Sequence, residues 1–299
     1  MTRERLGEVF VLASTILWGI FPIVTQIIYR GMAPLPALAW AELFASAFFA
    51  IILTSKRQWK AVANREAFMD ILWATAILGI VYYLLTFIGL KYTSAGNASL
   101  IGLTEIFFSY LFFNIFRGEK MPRMHLVGAI CMVAGAAIVL YPNAATPKLG
   151  DFLIVLAAGV APFGNFFQRR ARRHVPSESI MFVRSIISAI FIFGLSFAIG
   201  QNTVMPTSWM IIALLALNGI FLLGLSKIFW IEGIYRINVM KANGLQSATP
   251  LFTLIFAYMI LGNSPTAWQL AALIPMAAGV ILLGRTYRVP NQEALSSPS

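Results

Sequence analysis

Cysteine occurs once in these 299 residues, as Cys131 inside an apolar run. Neither a disulfide framework nor a thiolate metal centre can therefore be built within one chain. The two histidines, His125 and His174, lie among basic residues between apolar runs, and the two aspartates, Asp70 and Asp151, lie at the ends of such runs, far apart in sequence. There is no HExxH, Walker loop, GxSxG or clustered carboxylate motif, so metals, phosphates and nucleophiles lack the company they need. Neither an enzymatic activity nor a bound cofactor is expected. Charge is scarce too: 11% of residues are charged, against roughly 25% in a soluble domain.

What remains is apolar, at 59% of residues. Runs able to cross about 30 Å of hydrocarbon, roughly 20 residues each, recur from end to end with short polar gaps, so the chain's surroundings are a lipid bilayer. Turn residues divide them into ten expected spans, at 8–29, 36–54, 68–90, 95–116, 123–141, 150–168, 179–199, 207–233, 239–261 and 267–285. The first, "MTRERLGEVFVLASTILWGIFPIVTQ", starts basic like a signal peptide. It runs too long and ends in no small-residue cleavage site, so an uncleaved span is expected. The tail, 289–299, reads as disordered.

A net charge of +11 raises the question of a nucleic-acid partner. The basic residues instead form short clusters between apolar runs ("SKRQWK", "RGEKMPR", "QRRARRH"), without a stripe interleaved with stacking aromatics, and no nucleic acid is expected. With the N-terminus in the cytoplasm, the inner loops collect Arg3, Arg5, Lys56, Arg57, Lys60, Arg65, Arg117, Lys120, Arg123, Arg169, Arg170, Arg172, Arg173, Arg236, Lys241, Arg285 and Arg288. The outer loops collect Arg30, Lys91 and Lys148. That asymmetry predicts both termini in the cytoplasm of an inner-membrane protein.

Shifting the chain by 144 residues aligns 89–141 with 233–285 without a gap, pairing Gly89 with Gly233, Phe108 with Phe252, Gly118 with Gly262 and Gly135 with Gly279. A similar shift lays "WGIFP", Trp18 to Pro22, over "AGVAP", Ala158 to Pro162. Each half holds five spans, and an odd number inverts the second half in the membrane. Secondary transporters build their two gates from such inverted repeats. The fold class expected is all-α: an integral membrane bundle of ten transmembrane helices in two inverted five-helix repeats, 1–145 and 146–288.

"WGIFP", "GLKYTSAGNASLIGLTE" followed by "RGEKMPRMHLVGAICMVAGAAIVL", and "ANGLQSATPLFTLIFAYMILGNSPTAWQLAALIPMAAGVILL" together resemble the two EamA repeats of the drug/metabolite transporter superfamily over nearly the whole chain. The resemblance implies a ten-helix exporter or exchanger of small metabolites, with a central cavity lined mainly by helices 1, 3, 4, 6, 8 and 9. The family often has Glu and Pro adjacent in the fourth helix, where this chain has Glu105 and Ile106, and an Arg in the second, where it has Glu42; Arg184 in the seventh fits the pattern.

The charged residues placed well inside the membrane, away from the immediate span ends apart from Glu232 near the inner end of the eighth, are Glu42, Glu105, Arg184, Lys227 and Glu232. A charge at bilayer depth costs roughly 2.5–3.5 kcal/mol on insertion scales and faces a partner or a wet path. Glu42, Arg184 and Glu232 are expected to snorkel or pair near an interface. Glu105 and Lys227 are expected to face one central cavity and compensate each other's charge. Trp18, Gln26, Tyr82, Tyr83, Asn97, Asn165, Asn218, Trp230, Asn243 and Gln246 complete the candidate substrate-binding set; for each amide the alternative is an interhelical hydrogen bond. Pro22, Pro162 and Pro250 are candidate hinges, with static curvature as the alternative. The sequence thus points to an alternating-access secondary transporter of small organic solutes, amino acids first, working as a monomer, with protons as a possible coupling partner through Glu105. The alternatives are an exporter of amphipathic drugs and a non-transporting membrane scaffold.

Overall fold

The computed structural model describes residues 2–112, 114, 123–141, 148–237 and 239–284. Among them there is no strand, as expected where only a helix satisfies every backbone polar group within one segment. The helices are α1 Arg3–Ile28, α2 Pro34–Ser55, α3 Arg65–Tyr92, α4 in two pieces (Ala95–Gly102 and Thr104–Leu111), α5 Arg123–Leu140, α6 Leu149–Ala171, α7 Ser177–Ala198, α8 Trp209–Arg236, α9 in two pieces (Val239–Gln246 and Thr249–Leu261) and α10 Ala267–Gly284. Seven of them, α1, α2, α3, α6, α7, α8 and α9, are long and apolar enough to cross a membrane, and α5 and α10 contain the shorter apolar stretches Leu126–Leu140 and Ala267–Gly279. The ten segments form the all-α bundle of two inverted five-helix repeats. The expected tail at 289–299, the Gly118 turn and the inner end of the fourth span lie outside the described residues.

Local chemistry fixes several helix starts. Asn64 Oδ1 accepts from the backbone N–H groups of Glu66 and Ala67, both at 3.0 Å. Ser94 Oγ accepts from Asn97 N at 3.1 Å, and Pro34 opens α2 where no N–H is needed. At the end of α9, Gly262 adopts φ 69°, the left-handed stop that a glycine supplies.

Two features went beyond the sequence reading. First, α4 and α9 are broken at matching places in the two repeats, at Leu103 and at Ser247–Ala248. Pro250 therefore does not bend a continuous helix. It occupies the first turn of the second piece of α9, where a missing N–H costs nothing. Second, α3 and α8 each widen into an eight-residue π-helical stretch, Thr75–Tyr82 and Asn218–Leu225, a rare geometry common at functional positions.

Cross-repeat packing places these stretches centrally. The π stretch of α8 lies on α2 at Gly219, where an added Cβ would run into Ala41 O and Phe44 Cβ. Near the start of α6, a Cβ on Gly150 would lie 2.5 Å from Gly89 O, 2.6 Å from Tyr92 C and 2.7 Å from Thr93 N. All three are backbone atoms and cannot rotate aside. Gly150→Ala should therefore destabilise the bundle by about 1–3 kcal/mol, read as a lower melting temperature in detergent. Gly194→Ala, with no atom within 4 Å of the added Cβ, should be near neutral; equal effects would refute this packing account.

Candidate functional site

A cavity lies between α1, α3, α4, α6 and α9, walled by Trp18, Phe21, Pro22, Tyr82, Thr86, Leu90, Ser99, Glu105, Ile154, Asn243, Gln246 and Thr249 among others. A deeper chamber continues from it, sharing Tyr82, Glu105 and Gln246 and adding Leu78, Tyr83, Asn165, Gln168, Arg184, Lys227 and Trp230. The wall residues reveal its direction. Leu90 near the end of α3, Ile154 near the start of α6 and Ser99 near the start of α4 all lie toward the end of the bundle where α1 finishes. The cavity thus runs from mid-bundle toward that far end.

At the near end, where α1 begins, ion pairs between described residues gather. Lys241 Nζ lies 2.5 Å from a carboxylate oxygen of Glu4 and 2.5 Å from one of Glu8, tying α9 to α1. Arg170 holds Asp70, with Nε 2.5 Å from Oδ2, and Lys56 pairs with Glu178. Each of these joins one repeat to the other. Glu232 is gripped by Arg172, whose Nε lies 2.7 Å from Oε1, and by Arg236 and Ser177. Glu232 thus does pair, as expected of it.

Within the cavity, Trp230 Nε1 donates to Asn165 Oδ1 at 3.0 Å, and Asn165 Nδ2 donates to Glu105 Oε1 at 3.0 Å. This orients the carboxylate and leaves Oε2 for something else. Lys227 Nζ sits 3.2 Å from the centre of the Trp18 ring, a cation–π seat. Among the described residues no ion pair joins Glu105 to Lys227. They share the chamber without touching each other. The indole of Trp18 in turn stacks on Phe21, with ring centroids 4.2 Å apart. Pro22 and Pro162 lie inside α1 and α6. Because proline has no N–H, the carbonyls of Trp18 and Ala158 lose their helical donors, and both residues belong to the cavity wall.

Of the candidate residues, Trp18, Tyr82, Tyr83, Glu105, Asn165, Lys227, Trp230, Asn243 and Gln246 come together in the cavity walls. Three do not. Gln26 Nε2 donates to Thr93 O at 2.8 Å near the far end, Asn97 Oδ1 accepts from Gln269 Nε2 at 2.8 Å, and Asn218 Nδ2 donates to Thr25 Oγ1 at 3.0 Å. For these the interhelical hydrogen bond prevails. The sequence reading missed Gln168 as a wall residue, and it set Arg184 and Glu42 near an interface. Arg184 is 2% exposed and lines the chamber, while Glu42 is 0% exposed in the middle of α2. Their position in mid-span was the available signal.

A helical bundle of inverted repeats, closed by ion pairs at one end and hollow toward the other around an acid and an amine, is the architecture of a membrane transporter. The chain belongs to the EamA-like transporter family, whose model matches residues 5–141 and 148–285. It is 26% identical over 299 residues to a protein of Methanothermobacter thermautotrophicus named "Uncharacterized transporter", covering 94% of this chain and 87% of that one. It is 24% identical over 307 residues to the "Probable amino-acid metabolite efflux pump" of Salmonella typhimurium, covering 98% and 99%. It is 24% identical over 270 residues to an "Uncharacterized inner membrane transporter" of Escherichia coli, covering 86% and 82%. A solved crystal structure shares the fold with a TM-score of 0.73 at 19% identity, covering 92% of this chain and 95% of that one.

Proposed function

We propose that this chain is an inner-membrane secondary transporter that exports small zwitterionic metabolites of the amino-acid kind by alternating access, without an enzymatic step. The observation that carries this is the separated pair in one chamber: Glu105, with an oxygen left over beside its Asn165 bond, and Lys227, held on an aromatic face rather than on a carboxylate. A solute carrying an ammonium and a carboxylate can engage both, and buried charges demand that kind of compensation. The name of the Salmonella relative points the same way. In this reading the far end of the bundle is periplasmic, the near end with its ion pairs is cytoplasmic, and one chain suffices.

The test is counterflow in proteoliposomes against the common amino acids and a set of amphipathic cations. Accumulation of labelled amino acid is the expected result. Accumulation of the cations alone would replace the substrate class, and accumulation of nothing by folded protein would replace transport with scaffolding. Orientation has its own check. In a Cys131→Ala background, cysteines at Arg57, Arg172 and Arg288 should react with an impermeant maleimide only after the cell is opened, whereas one at Lys148 should react in cells whose outer membrane alone is permeabilised. Reaction of Arg172→Cys from the periplasm would invert the assignment.

A further inference from the structure

Glu42 is 0% exposed, and neither of its carboxylate oxygens makes a hydrogen bond of full geometry, although the Ser185 hydroxyl lies within reach. This sets it apart from other acids inside the bundle: the half-buried Glu105 receives the Asn165 amide, Asp151 receives the Thr93 hydroxyl and Glu232 is held by two arginines and a serine. Burial without a well-formed donor costs a carboxylate far more than it costs a carboxylic acid. The groups that face it come from three helices: Arg184 and Ser185 on α7, Lys227 on α8 and Tyr83 on α3.

Arg184 is the responsive neighbour. Its two terminal nitrogens are engaged on the cavity side, one donating to Gln168 Oε1 at 2.7 Å and the other to Tyr83 Oη at 3.3 Å. Its Nε is buried without a partner, and so is the Ser185 hydroxyl. A carboxyl, a guanidinium N–H and a hydroxyl thus lie in one dry neighbourhood with their bonding capacity unused. Another arrangement of the same residues could satisfy all three.

We propose that Glu42 is the proton-binding site of a proton–solute exchange, carrying its proton in the conformation seen here, and that losing this proton draws Arg184 out of the cavity wall. This rests on the transport reading above. The step balances simply: the Glu42 O–H bond breaks, the proton leaves to water on one side of the membrane, and the carboxylate accepts the Arg184 Nε–H and the Ser185 O–H. Arg184 then releases Gln168 and Tyr83, which a solute in the deep chamber can bind. While Glu42 keeps its proton, Arg184 occupies both. Proton and solute therefore exclude each other, which makes the coupling exchange rather than co-transport. Charge fits the scheme: with Glu42 ionised, Glu42 with Arg184 and Glu105 with Lys227 sum to zero, the environment a zwitterion requires. The cavity opens toward the far end, the side from which an exporter takes up protons, and there the protonated form is the one expected.

Two measurements test this. In purified protein without solute, infrared difference spectra across a pH titration should show the carbonyl band of a buried carboxylic acid. The band should be lost in Glu42→Gln but retained in Glu105→Gln, and shifted but present in Glu42→Asp. In proteoliposomes with an internal pH dye, an imposed proton gradient should drive accumulation of the amino acid found by counterflow, with protons moving the opposite way. In Glu42→Gln, which mimics the protonated form, that accumulation should fall about tenfold or more, and counterflow should weaken with it and stop responding to pH. A band unchanged by Glu42→Gln, gradient-driven accumulation that survives it, or protons and solute moving together would each overturn the proposal. Absence of counterflow in wild-type protein would sink the transport reading instead, and the infrared band would still decide the protonation of Glu42.

Discussion

Replacing Glu105 by Gln should leave the protein folded but nearly silent in transport, and replacing Lys227 by Met should do the same. Gln at 105 can still accept from the Asn165 amide, which bonds a single oxygen of Glu105 at 3.0 Å, so the orienting chain from Trp230 survives and only the charge is lost. Truncating one member of a desolvated charged set costs about 2–5 kcal/mol in binding, which at the low end is roughly a 30-fold loss in solute affinity. Each single variant should also melt earlier, because the other buried charge is left uncompensated. The double variant Glu105→Gln/Lys227→Met should regain much of that stability, since replacing both members is far gentler than removing one. It should not regain transport, because neither end of a zwitterion then finds its partner. Melting temperatures and counterflow on the four proteins check this. Strictly additive stability losses would show that the two charges do not interact, and normal transport by the double variant would remove both residues from the site.

The extent to which the sequence announced this arrangement follows from what hydropathy measures. It reports depth, so the ten spans and the mid-membrane level of Glu105 and Lys227 were legible, and the 144-residue self-similarity exposed the two repeats. It does not report rotation about the helix axis, which neighbouring helices set through packing. That is why Glu42, expected to pair near an interface, instead faces inward without a well-formed hydrogen bond, and why Arg184 turned out to line the chamber. Amides are ambiguous for the same reason: Asn165 and Asn218 look alike in sequence, yet one orients Glu105 and the other ties α8 to Thr25 of α1. The break in α4 at Leu103 had no proline to announce it, and the π-helical stretches had no distinctive residue at all. The π-helical stretches pack on helices of the opposite repeat, a property of pairs of segments rather than of either one.

Opening the near end should require only a modest push, and three substitutions should supply it. Asp70, Glu178 and Lys241 each hold a pair that crosses between the repeats. In the first two the acid is the withdrawn member, with Asp70 5% exposed against 48% for Arg170. Neutralising the acid therefore avoids stranding a buried charge, whereas removing the arginine would create one. Partly exposed pairs contribute about 0.2–1 kcal/mol each, so Asp70→Asn, Glu178→Gln and Lys241→Met together should weaken the closed near end by about 2 kcal/mol, roughly a 30-fold change in the ratio of conformers. The readout is a cysteine at Gly102 in a Cys131→Ala background. Gly102 lines the cavity with open space where a side chain would stand and should be labelled from the far side in the parent protein. In the triple variant labelling from that side should slow markedly, because the conformer open at the near end buries this wall. Each single variant should give a fraction of the effect, as expected for pairs that act in parallel on one closure. An unchanged labelling rate in a triple variant that remains folded would mean that the ion pairs merely decorate the near end and that apolar packing between α1, α8 and α9 holds it shut.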